Sequence, residues 1–92
     1  MDIRDLKCFV LTAELGGVTR ASGELGIVQS ALSRKLQGIE EELGATLFTR
    51  LPRGIQLTPA GRMFLERARR VLRELEVART GLGDRDAGVR GA

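Results

Sequence analysis

The order of apolar and polar positions divides the chain into four helical stretches and one short extended pair. Over residues 3–15, Ile3, Leu6, Phe9, Val10 and Ala13 recur at helical spacing, while Cys8, Leu11 and Leu15 make a second stripe. A helix apolar on two sides is usually buried on two sides. The first stripe is therefore expected to pack on the two helices that follow, and the second on the long helix further along. Asp2 precedes this run as an N-cap, and Gly16-Gly17 stops it. Residues 19–25 predict a two-turn helix with Thr19 as N-cap, Ala21 and Leu25 facing inward, and Gly26 turning the chain. From there Leu32, Leu36, Ile39 and Leu43 follow at steps of four, three and four, which predicts a helix over about 29–43 with one buried side.

Two alternating segments come next, Leu47-Phe48-Thr49-Arg50 and Ile55-Gln56-Leu57, around the turn-rich Leu51-Pro52-Arg53-Gly54. Together they predict a small hairpin or wing over about 47–57. Thr58-Pro59 is a helix start, a hydroxyl N-cap followed by proline where its missing N–H costs nothing. Phe64, Ala68, Val71, Leu75, Ala78 and Leu82 then repeat in a heptad pattern. A seam of about five turns is longer than so small a domain covers alone. Phe64, Ala68, Val71, Leu75 and Ala78 are thus expected to meet a second subunit, with Leu65 and Leu72 packing on the first helix. Gly81 and Gly83 predict a stop, and the glycine-rich, charged residues 83–92 predict a mobile tail.

Two helices across a glycine turn form a helix-turn-helix unit, and the fold class is mainly α. The second of the pair carries Ser30, Ser33, Arg34 and Gln37 opposite its apolar side. Glu40, Glu41 and Glu42 crowd its last turn and would repel phosphate, so a DNA groove is expected to receive its N-terminal half. Gln29 can pair bidentately with adenine, Arg34 with guanine or a phosphate, and Ser30 and Ser33 with either kind of partner. The same face also suits an ordinary solvated helix. Arg20 stands beside a helix N-terminus, as a phosphate contact or a solvated charge. Arg53, at the wing tip, is placed to enter a minor groove, and Arg50 to hold a phosphate or a structural ion pair. With Lys35 and Gln37 these complete the expected contacts to the DNA backbone or minor groove.

Charge sharpens this picture. The chain of 92 residues, one small domain, has a formal charge of +3. Between Leu47 and Arg73 seven arginines (Arg50, Arg53, Arg62, Arg67, Arg69, Arg70, Arg73) face a single acid, Glu66. Such a stripe favours a polyanion. There is no histidine and one cysteine, so neither a histidine-based triad nor a thiolate or imidazole zinc site can be assembled within it. The expectation is a non-enzyme with no cofactor in this domain, Cys8 being a packing residue. No apolar run approaches the roughly 20 residues of a membrane span, and the N-terminus lacks a signal-peptide core. No membrane partner and a cytoplasmic location are expected.

Ala21-Ser22, Leu25-Gly26-Ile27, Gln29-Ser30-Ala31-Leu32-Ser33-Arg34, Leu36, Ile39-Glu40, Leu43-Gly44, Leu47-Phe48, Arg50, Arg53-Gly54, Leu57-Thr58 and Ala60-Gly61 together resemble the DNA-binding domain of a LysR-type transcriptional regulator. The resemblance runs from about residue 2 to about residue 80. It implies a winged helix-turn-helix over 1–58, a linker and dimerisation helix over 59–82, and a tail at 83–92 leading to an absent effector domain with its small-molecule site. It implies further that an arginine at the wing tip reaches the minor groove and that linker helices pair antiparallel. The complete bacterial protein would often be a tetramer that bends promoter DNA. The expected function is sequence-specific binding of double-stranded DNA as a homodimer on an interrupted inverted repeat. One departure is Val28, where such proteins often have a small or hydroxyl N-cap, a role that Ser30 is expected to share. The other function considered is a protein-interaction module with a solubilising basic surface, against which stands the scarcity of acids over 47–73.

Overall fold

The computed structural model describes the backbone of residues 1–91 and the side chains of residues 1–81. Its elements are α1 (Ile3–Leu15), α2 (Val18–Leu25), α3 (Gln29–Leu43), β1 (Phe48–Arg50), β2 (Ile55–Leu57) and α4 (Pro59–Gly91). The strands form an antiparallel hairpin with Phe48 opposite Leu57 and Arg50 opposite Ile55. The whole is a mainly helical winged helix-turn-helix arrangement with a long last helix.

The helix ends follow from local chemistry. Asp2 and Asp5 make a reciprocal capping box: the Asp5 N–H donates to Asp2 Oδ1 at 2.9 Å and the Asp2 N–H to Asp5 Oδ2 at 3.0 Å. Gly16, Gly26 and Gly44 close α1, α2 and α3 in the left-handed conformation. Thr58 caps α4, accepting the Gly61 N–H at 2.9 Å, and its own hydroxyl donates to the Thr46 carbonyl at 2.6 Å. One hydroxyl thus starts the last helix and fastens it to the segment just before β1.

Three expectations about these ends are corrected. Helix α2 begins at Val18 with Gly17 as N-cap, so Thr19 lies inside it and offers its carbonyl to the Ser22 hydroxyl at 2.9 Å. Val18 is buried, and drawing it into the core sets the start one residue earlier. Val28 is the N-cap of α3 with no side-chain bond, and Ser30 makes none in its place. Helix α4 runs through Gly81 and Gly83 to Gly91, where the glycines predicted a stop and a tail. Glycine costs about 1 kcal/mol in a helix but keeps the N–H that proline lacks, so glycines weaken a helix without ending it. Ala92 lies outside the described residues.

The core is built around Phe9 of α1, which is fully buried. The three phenylalanines of the chain meet there, Phe9 at 5.2 Å from Phe48 and at 4.9 Å, edge to face, from Phe64. Leu6, Cys8, Val10, Val18, Ala21, Leu32, Leu36, Ile39, Leu47, Leu65 and Ala68 complete the cluster, with Leu72 packed against it. The two stripes of α1 are exchanged relative to expectation where contacts test them. Phe9 meets Phe64 of α4, whereas Cys8 lines a groove with Leu25, Ile27 and Lys35 beside the helix-turn-helix. Burial pushes the Cys8 thiol up, which keeps it protonated and inert.

Phe64 and Ala68, expected at a subunit interface, belong to this core, Ala68 being 1% exposed. A heptad read from sequence cannot tell which of its flanks the same chain will cover. Val71 and Ala78 remain exposed and Leu75 half-buried, all outside the core cluster, while the side chain of Leu82 lies outside the described residues.

Candidate nucleic-acid interface

The polar row of α3 stands clear of the body. Gln29, Ser30, Arg34 and Gln37 are exposed and Ser33 is half-buried. Leu32, Leu36 and Ile39 on the opposite side are buried, while Leu43, expected with them, is exposed in the last turn; the three buried positions fix the rotation of the helix and turn the row outward. None of these five polar side chains has a hydrogen bond among the described residues, so their donors and acceptors are open to a ligand. Because Val28 brings no side-chain acceptor, the N–H groups of Gln29 and Ser30 are left without a partner among the described residues, at the positive end of the helix dipole, while that of Ala31 donates to the Val28 carbonyl at 3.1 Å.

The wing stands beside this row. Ser33 and Gln37 share a crevice of about 80 Å³ with Arg50, Phe48, Ile55, Val18, Leu36 and Glu40. Arg50 follows Phe48 by two residues and so leaves the same face of β1. Arg53 is exposed at the tip, and neither arginine has an ion pair among the described residues, so the structural pairing considered for Arg50 is not formed there. Arg20 is exposed on α2, beside a hollow lined by Leu15, Thr19, Gly23 and Glu24. The structure thus brings Ser33, Gln37 and Arg50 together and leaves Arg20, Arg34 and Arg53 open around them.

Lys35, expected among the contacts to the DNA backbone, points away from this row in the free protein. It is two residues from both Ser33 and Gln37, more than half a turn around the helix. Its ammonium lies 3.1 Å from Asp5 Oδ1, tying α3 to α1. The Asp2 backbone N–H, followed by the Lys35 ammonium, holds the Asp5 carboxyl below the usual carboxylate range, and the same carboxylate raises Lys35.

The arginine stripe continues along α4. Arg69 is paired to Glu14 of α1 at 3.0 Å and Arg70 to Glu66 at 3.1 Å. Such exposed pairs stabilise little. Arg62, Arg69, Arg70 and Arg73, with Glu66 as the one acid among them, line an open groove over Leu57 and Leu65, a net basic track continuous with the base of the wing.

Sequence reasoning missed Glu40. Its Oε2 accepts the Leu47 N–H at 2.7 Å and the Phe48 N–H at 3.3 Å. The signal was present: a carboxylate in the last turn of a helix opposes the dipole, and a partner elsewhere accounts for it there.

Comparison with known proteins agrees with this geometry. Residues 3–62 match the family model for the bacterial regulatory helix-turn-helix protein, lysR family. The HTH-type transcriptional regulator TfdT of Cupriavidus pinatubonensis is 47% identical over 72 residues, 78% of this chain and 32% of that protein. The structure of the CbnR DNA-binding domain in complex with DNA superposes with a TM-score of 0.82 at 43% identity, covering 96% of this chain and 99% of that one. That of the BenM DNA-binding domain with catB site 1 DNA gives 0.84 at 36% identity, covering 95% and 97%. The chain spans about a third of the length of TfdT and of other curated relatives it matches.

Proposed function

The chain belongs to the lysR family of bacterial regulatory helix-turn-helix proteins, and on that premise we propose that it reads an interrupted inverted repeat as a dimer. It is a LysR-type helix-turn-helix DNA-binding domain, similar to domains solved on DNA. The N-terminal half of α3 enters the major groove, with Gln29, Ser30, Ser33 and Arg34 on base edges. Arg20, Gln37 and Arg50 hold the backbone, and Arg53 reaches the minor groove. The observation that carries this reading is the row of outward polar side chains on α3 with no hydrogen-bond partner among the described residues, flanked by wing arginines with no ion pair among those residues.

Val71, Leu75 and Ala78 supply the dimer seam, since Phe64 and Ala68 are taken by the core. Pairing of α4 with its counterpart sets two recognition helices at a fixed separation, so that operator symmetry mirrors protein symmetry. Binding needs no metal or cofactor in this domain. The complete regulator carries an effector domain beyond α4, assembles further, and works in the cytoplasm beside the chromosome. Among the described residues no helix is long and apolar enough to cross a membrane.

The test is fluorescence anisotropy of a random duplex against one enriched from a random pool, each titrated at several salt concentrations. A steep salt slope with a wide gap between the two duplexes is expected, and the enriched sequence gives the half-site and spacing. A steep slope without a gap leaves only a basic surface. No binding at low salt favours the protein-interaction module instead.

A further inference from the structure

Ser33, Gln37 and Glu40 follow one another along α3 at steps of four and three, so they leave the same side of the helix. Ser33 and Gln37 have no bonded partner among the described residues. Glu40 is half-buried, and its Oε2 is engaged by the N–H groups of Leu47 and Phe48 at the mouth of the wing. A carboxylate at this point on the row would otherwise stand near phosphate and against the helix dipole. Directed at two backbone donors it becomes a strong, charge-assisted anchor.

The other polar anchors of the wing run elsewhere. The Ile55 N–H donates to the Gly16 carbonyl at the end of α1, and Thr58 joins Thr46 to the start of α4. Among the described residues, the hydrogen bonds between α3 and the hairpin all pass through Glu40. Apolar packing of Phe48 beside Leu36 brings the two elements together, but apolar contact is non-directional and tolerates sliding. Directional bonds do not.

We infer that Glu40 is a positioning residue which fixes the register between the recognition helix and the wing, and so sets how many base pairs separate their contacts. The inference rests on the DNA reading above and deepens it. One stripe of α3 then does two things in sequence: its first turns face bases, and its last turn holds the arginine-bearing wing at a set distance from them.

The test compares the unaltered protein with Glu40→Ala and Glu40→Gln on three duplexes. These are the enriched operator, a version altered in the half-site core under α3, and a version altered only in the flanking segment under the wing. Hydrogen exchange of the Leu47 and Phe48 amides is followed in the free proteins. Glu40→Ala is expected to keep discrimination at the core, to lose it at the flank, and to bind the operator about tenfold more weakly. Its two amides should exchange faster within a folded protein. Glu40→Gln keeps an acceptor oxygen and should fall between the two.

Flank discrimination that survives in Glu40→Ala despite faster exchange overturns the inference. So does a loss of core and flank discrimination together, in proportion to lost thermal stability. If Glu40→Ala does not fold, Glu40→Asp, which keeps the charge but withdraws it by one methylene, decides on the same duplexes. An unaltered protein that discriminates neither altered duplex overturns the DNA reading itself, and the positioning role with it; one that discriminates both, beside variants that do the same, overturns the positioning role alone.

Discussion

The carbonyl of Gly16, at the end of α1, and the backbone of Gly54, at the tip of the wing, are in direct apposition. A Cβ on Gly54 would lie 2.5 Å from the Gly16 oxygen, and the next residue, Ile55, donates its N–H to that oxygen at 3.1 Å. Gly16 is itself left-handed, with φ 74°, because it terminates α1. The device that ends the first helix thus also supplies the acceptor that docks the wing, and Arg53 rides on that contact.

Gly54→Ala is expected to undock the wing. The position has φ 93°, where a side chain costs about 1–2 kcal/mol on conformation alone, and the close neighbour is backbone that cannot swing away. The wing is also held by Phe48 against Phe9 and by Glu40, so the variant should still fold, melting several degrees earlier while losing affinity for DNA. Circular dichroism melting alongside anisotropy checks it. A variant with unchanged affinity would show that the wing tip makes no contact worth counting.

Arg53→Ala and Lys35→Ala should separate cleanly, although both remove one positive charge. Arg53 is exposed with no ion pair among the described residues, and its loss is expected to weaken sites with good and poor half-site cores alike, to lessen discrimination in the flank under the wing, and to reduce the salt slope by about one. Lys35 is bound to Asp5 on the opposite flank of α3, and its loss should leave the slope nearly unchanged. Titrations at four or more salt concentrations decide the matter. Equal changes in slope would return Lys35 to the DNA surface.

Much of this was legible in the chain because the signals were local. The Thr58-Pro59 start, the Gly16 and Gly26 stops, the inward side of α3 and the Arg53 wing all follow from residues within a turn or two of one another. What was not legible is what distant segments do to shared positions. The stripe Phe64, Ala68, Val71, Leu75 has the spacing of one seam, yet its first half is claimed by Phe9 and the core of its own domain. Charge and helix position alone put Lys35 toward a phosphate, while Asp5, thirty positions earlier, decides where it points. From its neighbours alone Glu40 is a repulsive acid, since nothing nearby in the chain shows that two N–H groups beyond Gly44 meet it.

Gln29→Ala tests readout rather than charge. Gln29 is exposed on the first turn of α3, and its amide can pair bidentately with adenine. The variant is expected to relax preference at one position in each half-site, for a loss of about 1–3 kcal/mol there, with no change in salt slope. Affinities across all single-base variants of the operator are the measurement. If none of them changes its rank, Gln29 does not read a base.

Val71→Glu tests the seam that the core leaves free. Val71 is 45% exposed and outside the core cluster, so its replacement should alter domain stability by no more than about 0.5 kcal/mol. Placed against a second copy, the same carboxylate would be buried without a partner. Binding to a duplex with one half-site should persist, while the advantage of a full inverted repeat should disappear. Sedimentation of the protein with each duplex reads both. A full repeat still occupied by two copies with its advantage intact would move the dimer interface away from Val71.

The pair Asp5–Lys35 makes the acid limb of stability predictable in sign. The Asp2 backbone N–H and, after it, the Lys35 ammonium depress the Asp5 carboxyl below its ordinary value of 3.8. A carboxylate with a lowered folded pKa binds fewer protons folded than unfolded, so its stabilisation is present above the unfolded value and is lost as pH falls through the folded one. Stability of the unaltered protein should therefore decline as pH drops below about 3.8. Asp5→Asn keeps the shape of the capping box without the titrating group, so it should be less stable at neutral pH and show a shallower decline. Urea midpoints measured from neutral pH down to pH of about 2.5 check both. Parallel curves for the two proteins would mean that other carboxylates set the acid limb and that this link between α1 and α3 adds nothing to it.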